Sequence, residues 1–363
     1  MRHWGLIGLV LSAALFGAVA SCHTGQSGGG DPTKPDEPQP VPYKTTPYVW
    51  KKPANFPDPV YDFTKNPMTV EGVALGKRLF YDDMLSVNST ISCAFCHIQG
   101  SAFAHTDHAL SHGINDKIGT RNNIGLQNLA FYRQFFWDGG VSDLDLVPIA
   151  PITNPVEMGH TLSALKENLA KSPTYPALFK AAYGTDSITT ERLLKVLSQF
   201  MLTMVSANSR YDKYVRKESG GDLTADELAG MNLFQQKCAT CHSGELFTNQ
   251  QFRNNGLSRA SNQDEGRSLV TLRTEDKYLF KVPSLRNIDR TSPYMHDGRY
   301  GTLEQVLSHY ANGGVQNVPE LDPALQTNGK PGIPLTDTEK KQIIAFLRTL
   351  TDFDYVRDPR LAP

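Results

Sequence analysis

This sequence predicts a mainly α-helical, loop-rich protein with little or no sheet, built from two similar units in tandem. Three observations carry that prediction. Apolar residues recur at three- and four-residue spacing in six segments, no stretch shows the alternation of a half-buried strand, and a set of short motifs occurs twice in the same order. The six segments are Val70–Tyr81, Leu162–Ala170, Thr189–Val205, Ala225–Lys237, Leu303–Tyr310 and Asp337–Leu350. Start signals mark three of them: Thr190-Glu191 opens one, while Thr224-Ala225-Asp226-Glu227 and Thr336-Asp337-Thr338-Glu339 are capping boxes that satisfy the first backbone N–H groups of a helix. Connections rich in Gly, Pro and Asn separate the segments and predict long loops.

The repeated motifs run as follows. Gly76-Lys77-Arg78-Leu79-Phe80 and Gly230-Met231-Asn232-Leu233-Phe234 share Gly-x-x-Leu-Phe, and each precedes a Cys-x-x-Cys-His, which predicts a helix feeding its C-terminal end into that motif. Further on, Leu126-Gln127-Asn128-Leu129 leads to Trp137-Asp138-Gly139, as Leu285-Arg286-Asn287-Ile288 leads to His296-Asp297-Gly298, with each asparagine nine residues ahead of the Trp or His. Asp143-Leu144 and Thr302-Leu303 then open amphipathic stretches. The two copies diverge at one position, Trp137 against His296.

Cys93-Ala94-Phe95-Cys96-His97 and Cys238-Ala239-Thr240-Cys241-His242 read as attachment sites for two covalent haem c groups. Two thiols at this spacing can add to the two vinyl groups of one porphyrin, and the adjacent imidazole can bind its iron from the proximal side. A zinc site would need its two Cys-x-x-Cys pairs close together, whereas these lie 145 residues apart in the chain and each runs directly into histidine. A pair of Cys-x-x-Cys disulfides is the other structural reading.

The remaining cysteine, Cys22, follows a basic Arg2, an apolar Leu6–Ala20 stretch and Val19-Ala20-Ser21. That is the layout of an export signal, and the small residues before Cys22 resemble a lipoprotein box in which the cysteine is acylated. At about 15 residues the stretch is short of the ~20 needed to span a bilayer. Residues 1–21 are therefore expected to be a lipoprotein signal peptide. Residues 22–45, rich in Gly, Pro, Asp and Glu, are expected to be a flexible tether. Removing residues 1–21 leaves 35 basic against 37 acidic side chains, a near-neutral chain with no basic stripe for nucleic acid. The remainder is long enough for two domains, and the repeat divides it into an N-terminal haem domain, 46–205, and a C-terminal one, 206–355.

The motifs Phe136-Trp137-Asp138-Gly139, Asn154-Pro155-Val156-Glu157-Met158-Gly159, Val282-Pro283-Ser284-Leu285-Arg286-Asn287 and Pro293-Tyr294-Met295-His296-Asp297-Gly298, together with both Cys-x-x-Cys-His sites, resemble the bacterial dihaem cytochrome c peroxidase family, which includes the MauG-like enzymes. The resemblance extends from about residue 55 to 352 and implies two cytochrome c-like haem domains in tandem. It also implies that peroxide meets the first haem, that the second haem relays electrons, and that Trp137 bridges the two. Glu157 matches the distal glutamate that would shuttle a proton between the peroxide oxygens. Trp137 could equally be core filling, and His296 either a proton relay near the peroxidatic site or a hydrogen-bonded core histidine.

Axial ligation departs from the peroxidase pattern. Fourteen residues after His296, where the typical member has its methionine ligand, stands Tyr310, as in the MauG-like branch. A phenolate oxygen stabilises ferric iron relative to a thioether. Met295 is the competing ligand of the second haem iron. The first haem iron has His97, and either takes a distal histidine from His105, His108 or His112 or stays open. A calcium ion is carried over by position, with the Asn122 side chain and the Thr291 and Pro293 carbonyls as oxygen donors.

Three functional readings follow. The first is reduction of hydrogen peroxide to water with electrons from an exported donor, a small cytochrome c or similar protein or a quinol. The second is a MauG-like peroxide-dependent oxidase of tyrosine or tryptophan in a partner protein, and the third a non-enzymatic electron carrier. The expected location is the periplasm, lipid-anchored to a membrane, and the resemblance also allows a homodimer.

Overall fold

The structure is a computed structural model that describes residues 43–259, 263–311 and 313–363. The export signal, Cys22 and nearly all of the 22–45 tether lie outside the described residues.

Twelve helices are described: α1 Val70–Phe80, α2 Cys93–Cys96, α3 Ile149–Thr153, α4 Leu162–Lys171, α5 Tyr175–Tyr183, α6 Thr190–Leu202, α7 Arg210–Val215, α8 Ala225–Lys237, α9 Ser268–Thr271, α10 Leu303–Ala311, α11 Asp337–Arg348 and α12 Phe353–Val356. Sheet is confined to two antiparallel pairs of two-residue strands, β1 Phe252–Arg253 with β2 Phe280–Lys281 and β3 Gln326–Thr327 with β4 Lys330–Pro331. The protein is thus mainly helical and loop-rich. No helix of the described residues is long and apolar enough to cross a membrane. All six segments expected from apolar spacing are helices. Two stop three and two residues early, at Leu202 and Arg348, where Thr203 and Thr349 close the last turn and bond their hydroxyls back to Phe200 O and Phe346 O. Helix α7, six residues long, has too few turns for a periodic signal, whereas α5 is as long as α10 and opens on Pro176.

The repeated Gly-x-x-Leu-Phe acquires a physical reason. α1 packs on α6 at Gly76, where a Cβ would sit 1.8 Å from Val196 O, and α8 packs on α11 at Gly230, where a Cβ would sit 1.9 Å from Gln342 O. In both copies a glycine lets two helix backbones touch, while the phenylalanine four residues on, Phe80 or Phe234, is buried beneath. Around the first pair gather Leu75, Leu79, Leu193, Val196, Leu197 and Phe200, and around the second Ile343, Phe346, Leu347 and Leu350. Each such side chain removed from water contributes about 1.5–3 kcal/mol. The chain end returns to the first cluster through Tyr355, Val356 and Leu361.

The expected helix-to-motif continuity holds in the second copy, where α8 ends at Lys237 and Cys238 follows as its cap. The first copy differs. α1 ends at Phe80, and Asp82 starts a separate turn by accepting the Met84 N–H at 2.8 Å, so twelve residues separate α1 from Cys93.

The two asparagines of the repeat are also matched. Asn128 and Asn287 both take left-handed backbone conformations, φ 63° and 58°, and each opens a short turn. Both reach fully buried Ser206. Asn128 donates to Ser206 O and accepts from Ser206 N, each at 2.9 Å, and Asn287 Nδ2 donates to Ser206 Oγ at 2.9 Å. Phe136 and Met295, the residues before Trp137 and His296, share the left-handed conformation too, at φ 65° and 76°.

Candidate active site

Both Cys-x-x-Cys-His motifs fold into one tight turn. α2 sets Cys93 and Cys96 on a single turn, and the His97 N–H bonds to Cys93 O at 2.9 Å. In the second copy Cys238 O accepts the N–H groups of Cys241 at 3.2 Å and His242 at 3.0 Å. The chain then doubles back, so that His97 Nδ1–H donates to Phe103 O at 2.7 Å and His242 Nδ1–H to Phe247 O at 3.1 Å. A carbonyl only accepts, which puts the proton on Nδ1 and leaves Nε2 for a metal. Burial pushes both imidazoles down to about 4, so they are neutral. The four thiols are unpaired, and burial pushes Cys93 and Cys238 up to about 12. Among the described residues no group of three or more His, Cys, Asp or Glu is placed to hold a metal ion. A thiol pair beside an oriented, neutral imidazole fits haem c at each motif.

Around the first motif, α3 ends before Asn154-Pro155, and the next loop wraps on Asn154. Its carbonyl accepts from Glu157 N at 3.0 Å and Gly159 N at 2.9 Å, while its amide donates to Glu157 Oε1 at 2.7 Å. The Ile114 N–H binds Glu157 O at 2.8 Å, and a Cβ on Gly113 would lie 2.0 Å from Val156 O, so this loop lies flush on the one that follows the motif. Burial raises the Glu157 carboxyl above the usual carboxylate range, although the Asn154 amide opposes this, and its charge reaches the Cys96 thiol. His105, His108 and His112 form a row, with ring centroids 5.3 and 4.8 Å apart. His105 is buried against Ser111 Oγ at 3.3 Å, and His108 is exposed.

The second motif opens on a cavity of about 240 Å³ lined by Cys238, Cys241, His242, Tyr310, Met295, Trp137 and His296, among others. Both candidate ligands are therefore in one chamber with His242. Asn255 joins them: its Nδ2 donates to Met295 Sδ at 3.4 Å, and it also hydrogen-bonds the Tyr310 side chain. Burial pushes the Tyr310 phenol up to about 12, so it is neutral unless a cation draws the proton off. His296, which the resemblance sets near the peroxidatic site, also lines this chamber. It stacks on Phe280 at 3.8 Å and meets Trp137 edge-on at 6.5 Å, and burial holds it down to about 4.

Trp137 Nε1–H donates to Asn122 O at 2.8 Å, and the Asn122 N–H donates to His296 O at 2.7 Å. Arg121 braces this segment, with Nε and Nη2 on Asp264 at 2.6 and 2.9 Å and Nη1 on Asp138. Asn122, Thr291 and Pro293 line the same chamber. Asn122 Nδ2 donates to Ala109 O at 3.0 Å, which leaves Oδ1 as the atom it could offer a cation. Carbonyl and amide oxygens of this kind suit calcium.

Sequence reasoning missed Asn255, Phe280 and Lys281. Phe280 and Lys281 stand directly before Val282-Pro283-Ser284, and position beside that motif was the available signal. Asn255 had none.

Residues 70–220 match the sequence pattern of the family described as di-haem cytochrome c peroxidase. The chain is 34% identical over 310 residues to the methylamine utilization protein MauG of Methylorubrum extorquens, covering 83% of each. It is also 34% identical over 290 residues to the cytochrome c551 peroxidase of Nitrosomonas europaea, covering 78% of this chain and 81% of that one. Among solved structures it resembles a MauG-like protein associated with microbial copper homeostasis, with TM-score 0.77 and 30% identity over 87% of this chain and 99% of that one.

Proposed function

The chain belongs to the bacterial dihaem cytochrome c peroxidase family that includes MauG, a family of peroxidase-type oxidoreductases with two haem c groups, and from that premise we propose that it reduces hydrogen peroxide to water at the first haem. Electrons then enter from an exported donor at the second haem and pass through Trp137. Bound haem supplies the iron that accepts a peroxide oxygen and the electrons that reduce it. The protein's part is the proton. Breaking the O–O bond asks for a proton to leave the near oxygen and arrive at the departing one, so that two electrons and two protons turn one peroxide into two waters. The observation that carries the reading is Glu157: partly buried, raised in pKa, aimed by Asn154, and close enough to act on Cys96. Steady-state peroxide turnover with a reduced cytochrome c, comparing the native protein with Glu157→Gln, tests it; equal rates would reject the assignment.

A second reading has its own support. Tyr310 shares the chamber with His242, and an oxygen ligand there would lower the potential of that haem. A MauG-like oxidase of a partner protein fits such a centre better than a relay does. Turnover that needs a reduced cytochrome favours the first reading; peroxide consumption coupled to oxidation of tyrosine or tryptophan in a partner favours the second. Calcium on Asn122, Thr291 and Pro293, export, and the lipid anchor at Cys22 belong to the same proposal.

A further inference from the structure

Three cationic side chains line the chamber of the second motif, Lys237, Arg253 and Lys281. Two are already neutralised. Lys237 lies 3.1 Å from Glu339, and Arg253 lies 2.6 Å from Asp322. Their charges are also the ones felt at the thiols, Lys237 at Cys238 and Arg253 at Cys241. Both therefore stand at the thioether end of the chamber.

Lys281 is different in each respect. It is 7% exposed, acts on neither thiol, and has no carboxylate within ion-pair distance among the described residues. Its ammonium donates to Gln134 O at 2.9 Å and faces the Tyr132 ring at 5.0 Å. Burial alone pushes its pKa down to about 8. A buried ammonium with one carbonyl and one ring face for partners is costly, and the described residues supply no anion within ion-pair distance to relieve it. Haem c does supply one. Its two propionates sit on the porphyrin edge away from the vinyl carbons that the cysteines capture. When Cys238 and Cys241 hold one end of the ring, the carboxylates extend toward the other.

We propose that the Lys281 ammonium is the counter-charge for a propionate of the haem attached at Cys238 and Cys241. The backbone N–H of Lys281 donates to Trp137 O at 2.7 Å, which sets this lysine's strand beside Trp137. Lys281 is then a positioning residue that fixes the haem's rotation in its chamber and raises its potential by favouring the ferrous state. The inference rests on haem attachment alone, and stands or falls separately from peroxide turnover.

The test uses the haem-loaded protein with Lys281→Met, Lys281→Gln and Lys281→Arg. Pyridine haemochrome spectra confirm two haems per chain, and a spectroelectrochemical titration reads the second haem. A unit charge acting on the iron over roughly 12 Å at an effective dielectric of about 20 changes the ferrous-to-ferric ratio about tenfold at fixed potential. Lys281→Met and Lys281→Gln should both shift toward ferric by about that factor, with Lys281→Arg near the native value. Glutamine can still donate to Gln134 O, so a native midpoint in Lys281→Gln would reduce Lys281 to a structural bridge and overturn the proposal. Should Lys281→Met fail to load haem, the glutamine and arginine variants decide the question by themselves.

Discussion

Asp212→Ala should destabilise the whole molecule more than any surface substitution, because it strands a guanidinium. Arg286 and Asp212 are both 0% exposed and meet in a fork, with Nη1 on Oδ2 at 2.9 Å and Nη2 on Oδ1 at 2.8 Å. Asp212 also accepts from Ser209 N at 2.9 Å, Ser209 Oγ at 2.7 Å and Asn55 Nδ2 at 3.0 Å. Arg286 would keep two carbonyl acceptors, Glu245 O at 2.6 Å and Ser206 O at 3.4 Å, and the Phe56 and Phe247 ring faces, but no carboxylate. Removing one partner of such a pair costs about 3–5 kcal/mol. For a chain of this length about 2 °C accompanies each kcal/mol, so melting should fall by about 6–10 °C at pH 7, followed by far-ultraviolet circular dichroism. The sign with pH is also fixed. Burial pushes the Asp212 carboxyl up, but Arg286 outweighs it and holds the value below the usual range. That stabilisation is present above the unfolded carboxyl pKa of about 3.9 and lost as pH falls through the lower folded value. The gap between native and variant should therefore close in acid. Replacing both partners with apolar residues, Asp212→Leu with Arg286→Met, should recover much of the loss. A loss below about 1 kcal/mol for Asp212→Ala, or one that persists unchanged at pH 2, would refute the reasoning.

Glu157→Gln should lower the rate of the peroxide step by about 10²–10⁴-fold, and native kcat/KM should fall as pH drops through the raised Glu157 value, since only the ionised carboxylate can take a proton; a flat pH profile would argue against it. Tyr310→Phe should change the electron paramagnetic resonance of the second ferric haem while leaving the first signal in place, and a charge-transfer band of methionine ligation in the native protein would assign Met295 instead. Gly76→Ala and Gly230→Ala should each cost about 1–3 kcal/mol by forcing two helix backbones apart, read by thermal melting. Cys238→Ser should leave haem at Cys93 and Cys96 and weaken attachment at the second motif, which mass spectrometry of the intact chain would register.

Local features were legible from the chain, and tertiary ones were not. Val70–Phe80 and Ala225–Lys237 announce themselves because helix periodicity and capping act over a few residues. The haem motifs announce themselves because thioether chemistry fixes their spacing. Glu157, Tyr310 and Trp137 could be named from a resemblance but not placed: that Tyr310 and Trp137 share the chamber of the second motif while Glu157 packs at the first depends on long-range contacts with no local signal. Asn255 and Lys281 mark the limit most sharply. Asn255 reaches Met295 across 40 positions, and Lys281 reaches Gln134 across 147. The two-residue strands that present Phe280 and Lys281 are too short to alternate visibly. The Gly-x-x-Leu-Phe repeat lies between these cases, visible as a pattern while its cause, a helix crossing at the glycine, waited for the partner helix.

Ser206 bears on whether the duplicated halves can be separated. It stands in the connection between the copies, takes the side chain of Asn128 from one and Asn287 from the other, and donates its hydroxyl to Asp352 at 3.2 Å. A cut on either side of it would leave one asparagine without its partner, in a left-handed backbone conformation that the lost bonds had helped to hold. Each half carries its own Cys-x-x-Cys-His motif, yet the two asparagine turns share one serine, so only the half that keeps Ser206 would keep its turn complete. The spacing of the two motifs is thereby tied to a buried, hydrogen-bonded splice at Ser206.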